Sequence, residues 1–221
     1  LLDLHHGQED LASGQIRFLH AGSVQDDPTR VIRAARYAAR LGFQLAKESR
    51  EQIRSTMQQW PWAWGQGDAA STAPPALASR LRMELERLLE REPWPQALDL
   101  LEQWQALPLL DAQLQRDPRR IQRLHWARRL GLPLMPALLA GAADPVALAQ
   151  RLQLPGKQQQ WLKQCGVLCD WLMDNPPVLQ ASPSIWSTAL EQKGWQPEAV
   201  ALAVTLRPQQ WRPLLRWWGR W

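Results

Sequence analysis

The chain has 221 residues, 45% of them hydrophobic, and a formal net charge of +5. That length gives room for one sizeable core or for two or three small helical lobes. No apolar run is long enough to span a bilayer, no secretory signal is present, and the only cysteines are Cys165 and Cys169. These facts exclude a helical membrane protein and a disulfide scaffold, and they make a cytoplasmic protein with no membrane partner the default expectation. Arginine supplies nearly all of the positive excess. Guanidinium favours bidentate phosphate contacts, so nucleic acid is a candidate partner.

In chain order, the first residues, "LLDLHHGQEDL", read as mid-domain sequence, and an N-terminal portion is expected to precede them. Strand formers are few and apolar residues recur at helical spacing, which predicts an all-α fold. The predicted helices cover 28–42, 46–58, 77–91, 95–106, 118–130, 133–140, 144–152, 157–173, 183–192, 196–206 and 208–218. Prolines keep them short. Asp117-Pro118 and Asp144-Pro145 follow the grammar of a helix start, with Asp as cap and Pro in the first turn. The Gly, Ser, Ala and Pro content of 58–76 predicts a loop, and 174–184 is a weaker break. The expected lobes are 1–25, 26–94, 95–173 and 174–221.

The stretch "DDPTRVIRAARYAARLGF", residues 26–43, carries the most chemistry. Asp27 before Pro28 marks a helix start and Gly42 its end. Arg30, Arg33, Arg36 and Arg40 fall within an arc of roughly 120°, opposite Val31, Ile32, Ala35, Ala38 and Ala39. One reading is a solvated charged face. Against it, no acid is interleaved at i, i+4, so the row repels itself. It also begins at a helix N-terminus, where an anion is already favoured, and a polyphosphate is the natural counter-charge. Asp27 and Arg30 lie three residues apart and can project the same way. A carboxylate beside a guanidinium can read the amine-next-to-acceptor edge shared by cytosine and adenine. The alternative for Asp27 is a plain N-cap.

Other candidates are weaker. A second basic helix, within 116–132, carries Arg116, Arg119, Arg120, Arg123, Arg128 and Arg129 and could track an RNA backbone; a solvated face is the alternative. Cys165 and Cys169 lack further ligands at zinc spacing and read as buried thiols. His5 and His6 read as solvent-facing. The Arg- and Trp-rich tail, "RPQQWRPLLRWWGRW", could dock on the body, stack on RNA or lie on a membrane surface. Nothing in the sequence explains "WPWAW" at 60–64.

Three segments together resemble the class II tRNA nucleotidyltransferase and bacterial poly(A) polymerase family. "DLHHGQEDL", with Asp3, Gly7, Asp10 and Leu11, looks like the family's hinge between catalytic head and neck. "DDPTR" looks like its neck motif E-D-x-x-R, with Asp26 standing where Glu is usual, followed by the R-A-x-R run and Phe43. "SRLRMELERLLE", residues 79–90, is similar to the next neck helix. The likeness is specific over 3–45, looser over 79–90 and compositional beyond.

The resemblance implies the neck, body and tail of an enzyme that adds C or A to a tRNA 3′ end, with CTP and ATP as substrates. It implies that Asp27 and Arg30 pair with the incoming base and that Arg33 and Arg36 contact the nucleotide and its phosphates. Independently of the resemblance, Arg119, Arg120 and Arg123 on the second basic helix are the residues expected to contact RNA. The family's paired metal-binding carboxylates, in a D-x-D motif within an α/β head, do not occur in these residues, so Mg2+ is expected to be held by that head and this chain alone is expected to be inactive. The rival readings are a non-catalytic helical RNA-binding module and a peripheral membrane adaptor.

Overall fold

The computed structural model of the chain describes residues 3–59, 77–175 and 182–215. The "WPWAW" stretch, the rest of the predicted loop to residue 76, most of the break at 174–184 and the tail beyond 215 lie outside the described residues. The described residues divide into two compact units, 1–116 and 117–221.

The first unit contains α1 (Gly7–Ala12), α2 (Ser23–Asp26), α3 (Thr29–Leu41), α4 (Lys47–Gln58), α5 (Leu77–Arg91), α6 (Trp94–Gln103) and α7 (Ala112–Gln115), with a 3-10 turn at Leu107–Leu109. Helix α3 is its centre and packs against both α5 and α6. Val31, Ile32, Ala34, Ala35 and Ala38 are buried there against Leu81, Leu85 and Leu88 of α5 and Leu98 and Leu101 of α6, among others. Burying a side chain such as Ile32 contributes about 1.5–3 kcal/mol, and the alanines let the helices approach closely. Gly42 ends α3 at φ 70°, and the Phe43 N–H bonds back to the Ala38 carbonyl at 3.1 Å. A side chain at this left-handed position would be strained. The chain then forms β2 (Gln44–Leu45), which pairs in parallel with β1 (Gln15–Ile16), Gln15 opposite Gln44 and Ile16 opposite Leu45. These two short strands are the only ones among the described residues.

The second unit contains α8 (Arg120–Arg129), α9 (Leu134–Leu139), α10 (Pro145–Arg151), α11 (Gly156–Asp174), α12 (Pro183–Gln192), α13 (Pro197–Leu206) and α14 (Pro208–Trp211), followed by a 3-10 turn at Arg212–Leu214. Every residue of α13 from Ala199 to Thr205 is buried. A helix apolar on all sides must be wrapped, and α11, α8 and α9 do this.

The predicted helices recur within a few residues, as expected where caps and prolines set the ends. Asp144 accepts from the Val146 and Ala147 N–H groups, and Asp117 accepts from the Arg119 N–H at 3.0 Å. The last predicted helix is interrupted: α14 stops at Trp211 and gives way to the 3-10 turn containing Pro213, which has no N–H to continue the α ladder; Leu215 is helical again, and 216–218 lie outside the described residues. The sequence missed α1, α2, α7 and the strands. Each is six residues or fewer, too short to show a period. The boundary between compact units falls at 116/117, so the boundary expected near 95 lies inside the first unit, where α6 packs on α3.

Candidate nucleotide-binding site

The site is built at the start of α3. Asp27 precedes the helix in extended conformation. One carboxylate oxygen accepts from the Thr29 N–H at 3.1 Å and from its hydroxyl at 2.7 Å. The other accepts from the Arg80 guanidinium of α5 at 3.1 Å. The capping role and the charged role therefore coexist on the same carboxylate, one per oxygen. Arg30 lies half-buried one turn on and donates to the Ser23 carbonyl at 3.0 Å, which steadies it against α2.

Arg30 and Arg33 line an open cleft of about 300 Å³ with Phe18, Leu19, His20 and Tyr37. A larger cleft of about 540 Å³ adjoins it, sharing Arg17, Phe18 and Tyr37 and extending to His5, His6 and Asp10. The segment resembling a hinge thus forms one wall of this space. It is held locally: Asp3 accepts from the N–H groups of His5, Gly7 and Gln8 at the start of α1. The bonds from Gln8 and Gly7, against a small effect of desolvation, hold the Asp3 carboxyl below its ordinary value. Arg17 bridges Asp10 at 3.1 Å and Glu48 of α4 at 2.7 Å, and the Phe18 N–H donates to the buried Ser49 hydroxyl.

The rest of the arginine row differs from the sequence reading. No acid is interleaved on α3, yet the row is partly neutralised, by two carboxylates from distant parts of the chain. Glu84 of α5 accepts from Arg33 at 3.1 Å, from Arg87 at 3.0 Å and from Arg36 in a short contact. Glu92, just after α5, accepts from Arg36 at 3.0 Å and from Arg40, whose Nε lies at 2.8 Å. Burial opposes ionisation of Glu84, but the bonds and charges of Arg33 and Arg36 outweigh it and keep the carboxyl below its ordinary value. Arg40 and then Arg36 do the same for Glu92 against its burial. The same pairs raise the pKa of Arg33 and of Arg40.

Arg36 is consequently buried, its side chain 9% exposed, and it binds both acids. The expectation that it offers an open guanidinium to a nucleotide is corrected: it is the tie between α3, α5 and Glu92. Arg33, with its side chain 52% exposed, contacts Glu84 through one nitrogen and still borders the cleft. Glu84, Glu92 and Arg80 are the residues that sequence reasoning did not single out. Two of them, Arg80 and Glu84, stand within the neck-like stretch 79–90.

The second basic helix also needs correction. Of the three arginines assigned to RNA, Arg119 is exposed while Arg120 and Arg123 are buried. Arg123 donates to the Ala137 and Leu138 carbonyls at the C-terminal end of α9 and pairs with Asp117 at 2.6 Å. Those carbonyls, at the negative end of the helix, explain why a guanidinium sits in the interior. Burial lowers the Arg123 pKa, with Asp117 opposing. The exposed arginines in and beside α8 are Arg116, Arg119, Arg128 and Arg129. Cys165 is buried, 4.0 Å from Cys169, and its thiol is pushed well up by that neighbour and by burial. Among the described residues, no group of three or more His, Cys, Asp or Glu side chains converges on a metal site. No helix among the described residues is long and apolar enough to cross a membrane.

No family model matches the chain. It is similar to the CC-adding tRNA nucleotidyltransferase of Deinococcus radiodurans, 34% identical over 166 residues, covering 70% of this chain and 37% of that protein. It is 33% identical over 111 residues to the multifunctional CCA protein of Neisseria gonorrhoeae, covering 50% of this chain and 24% of that protein. The chain thus spans about a third or less of these relatives. Its fold matches a solved CCA-adding enzyme in complex with CTP at a TM-score of 0.68 and 19% identity, covering 99% of this chain and 52% of that one. It also matches a tRNA nucleotidyltransferase complexed with a primer tRNA and an ATP analogue at 0.63 and 18%, covering 97% and 64%. Fold, motifs and relatives point the same way: over part of their length the chain is similar in sequence to tRNA nucleotidyltransferases, and its fold matches theirs.

Proposed function

We propose that this chain is the nucleotide-selecting and RNA-holding part of an enzyme that adds C, A or both to the 3′ end of a tRNA. The observation that carries this reading is the placement of Asp27 and Arg30 at the start of α3, with Arg30 and Arg33 on an open cleft. Asp27 accepts from the exocyclic amine of cytosine or adenine, and Arg30 donates to the adjacent ring nitrogen. Uracil and guanine present the opposite polarity at those positions and cannot make both bonds, which disfavours them. Arg33 contributes charge toward the triphosphate. Arg36 and Arg40 act behind the site by fixing α3 to Glu84 and Glu92.

Phosphoryl transfer to the RNA hydroxyl depends on metal-bound carboxylates, and that step falls to residues outside this chain. CTP and ATP are the substrates and a tRNA 3′ end the acceptor. The test is incorporation of labelled CMP and AMP by the full-length protein into tRNAs ending before C74, before C75 and before A76. Incorporation into any of these supports the reading, and the pattern assigns the product. Absence of incorporation from all four nucleoside triphosphates overturns it.

A second reading, a non-catalytic RNA-binding module, is favoured by one fact: residues 117–221 carry 13 Lys/Arg and 6 Asp/Glu, whereas residues 1–116 carry 13 and 15. It predicts tRNA binding without nucleotide selection.

A further inference from the structure

Helix α11 carries three soft sulfur atoms that the proposed function does not use. Cys165, Cys169 and Met173 follow one another at intervals of four residues, so they stand one turn apart along a single ridge of the helix. Their exposure is graded. Cys165 is buried, Cys169 is half-buried and Met173, in the last turn, is 53% exposed. The ridge runs from the interior of the second unit to its surface.

The two thiols meet at 4.0 Å. That arrangement does not suit a disulfide. Residues four apart on a helix keep their Cβ atoms about 5–6 Å apart, whereas a disulfide needs about 3.5–4.5 Å, so oxidation would have to distort α11. It does suit a shared cation. With two metal–thiolate bonds of about 2.3 Å, sulfurs 4.0 Å apart subtend about 120° at the metal. That is the angle of three-coordinate ligation, and a flexible thioether stands one turn further on as the third donor.

The donor set selects the metal. Structural zinc takes four ligands, and iron–sulfur clusters take four cysteines. The chain has only two cysteines, and the one histidine among residues 117–221, His125, is exposed on α8. Thiolates and a thioether without imidazole are the ligands of a soft monovalent cation, Cu(I). The neighbouring thiol and burial hold Cys165 protonated, while the charge of the buried Arg123 favours its thiolate. A cation between the sulfurs replaces the S–H bonds and cancels one of the two thiolate charges, leaving a single negative charge within reach of Arg123.

We propose that Cys165, Cys169 and Met173 form a binding site for one Cu(I) ion, with the two thiolates as principal ligands and the thioether as the third. The ion enters at Met173, the solvent end of the ridge. Binding forms the metal–sulfur bonds, releases two thiol protons and changes no oxidation state. All three residues lie in the second unit, so the site stands or falls independently of Asp27 and Arg30.

The test is anaerobic transfer of Cu(I) from its bicinchoninate complex to the reduced 221-residue chain, followed by X-ray absorption at the copper edge. The expected result is one Cu(I) per chain, a first shell of sulfur alone, and two thiols that become reactive again when excess bicinchoninate removes the metal. Cys169→Ser and Cys165→Ala, the second of which keeps the interior apolar, are each expected to lose the transfer. Met173→Leu, at an exposed position of similar volume, is expected to weaken it without abolishing it. Transfer retained in either cysteine variant, nitrogen or oxygen in the first shell, or displacement of Cu(I) by an equal concentration of Zn(II) overturns the site. Thiols consumed as a disulfide with no metal bound overturn it in favour of a redox pair. Unchanged affinity in Met173→Leu overturns the three-sulfur arrangement. The copper shell and the thiol count are read on the parent chain, so they decide the matter even where a cysteine variant fails to fold.

Discussion

Arg36 and Glu84 meet in the interior of the first unit, 48 residues apart in sequence, with side chains 9% and 4% exposed. Their pairing turns an arginine row that looks like an open anion site into a half-open one. Arg30 and Arg33 face the cleft; Arg36 and Arg40 are anchored on Glu84 and Glu92.

Removing Glu84 leaves the buried Arg36 with Glu92 as its remaining acid. Glu84→Ala also takes this acid from Arg33 and Arg87 and is expected to cost about 3 kcal/mol, the lower end for breaking a buried pair. Urea unfolding followed by far-UV circular dichroism measures it. A loss below about 1 kcal/mol, the range of a surface pair, would contradict the buried network.

The same carboxylates set an acid limit. Glu84 and Glu92 both have folded pKa values below the ordinary carboxylate value. Their contribution to stability is therefore fully present above the unfolded value of about 4.3. It is lost as pH falls through the lower folded values, because the unfolded state then binds protons first. Thermal unfolding from pH 7 down to pH 2 is expected to show a steep loss below about pH 4, and the Glu84→Gln, Glu92→Gln variant is expected to show a shallower one. A parallel pH dependence in both proteins would refute the assignment.

Gly141→Ala forces a Cβ to 2.1 Å from the Arg123 guanidinium and 2.6 Å from an Asp117 carboxylate oxygen. Overpacking of this kind costs about 1–3 kcal/mol. The loss is expected in the second unit, read from hydrogen exchange of α8 and α9, while α3 and α5 exchange as in the parent chain. Unchanged protection of α8 and α9 would show that the Arg123–Asp117 pair does not fill that space.

Local grammar made much of the fold legible. Asp144-Pro145 announced the start of α10, Gly42 announced the end of α3, and the alanine and valine spacing gave the buried side of α3. Side-chain partners were not legible, because Glu92 lies 56 residues from Arg36 and only the packing of α3 against α5 and α6 brings them together. Helix α8 misled for another reason. Its sequence, "RIQRLHWARR", carries arginine on more than one side, so periodicity could not tell Arg119 at the surface from Arg120 and Arg123 inside. Asp27 and Arg30 stood out because a helix start fixes their spacing locally, whereas Arg80, which holds Asp27, comes from another helix.

The claim that an acid and an arginine at the head of α3 choose the base is tested most directly by equilibrium binding of CTP, ATP, UTP and GTP to the full-length protein and to its Arg30→Ala and Asp27→Ala variants, with tRNA affinity measured alongside. The account predicts that the parent prefers CTP or ATP, that each variant loses the preference, and that tRNA affinity is little changed. Preference retained in both variants, or tRNA binding that collapses with nucleotide binding intact, would contradict it.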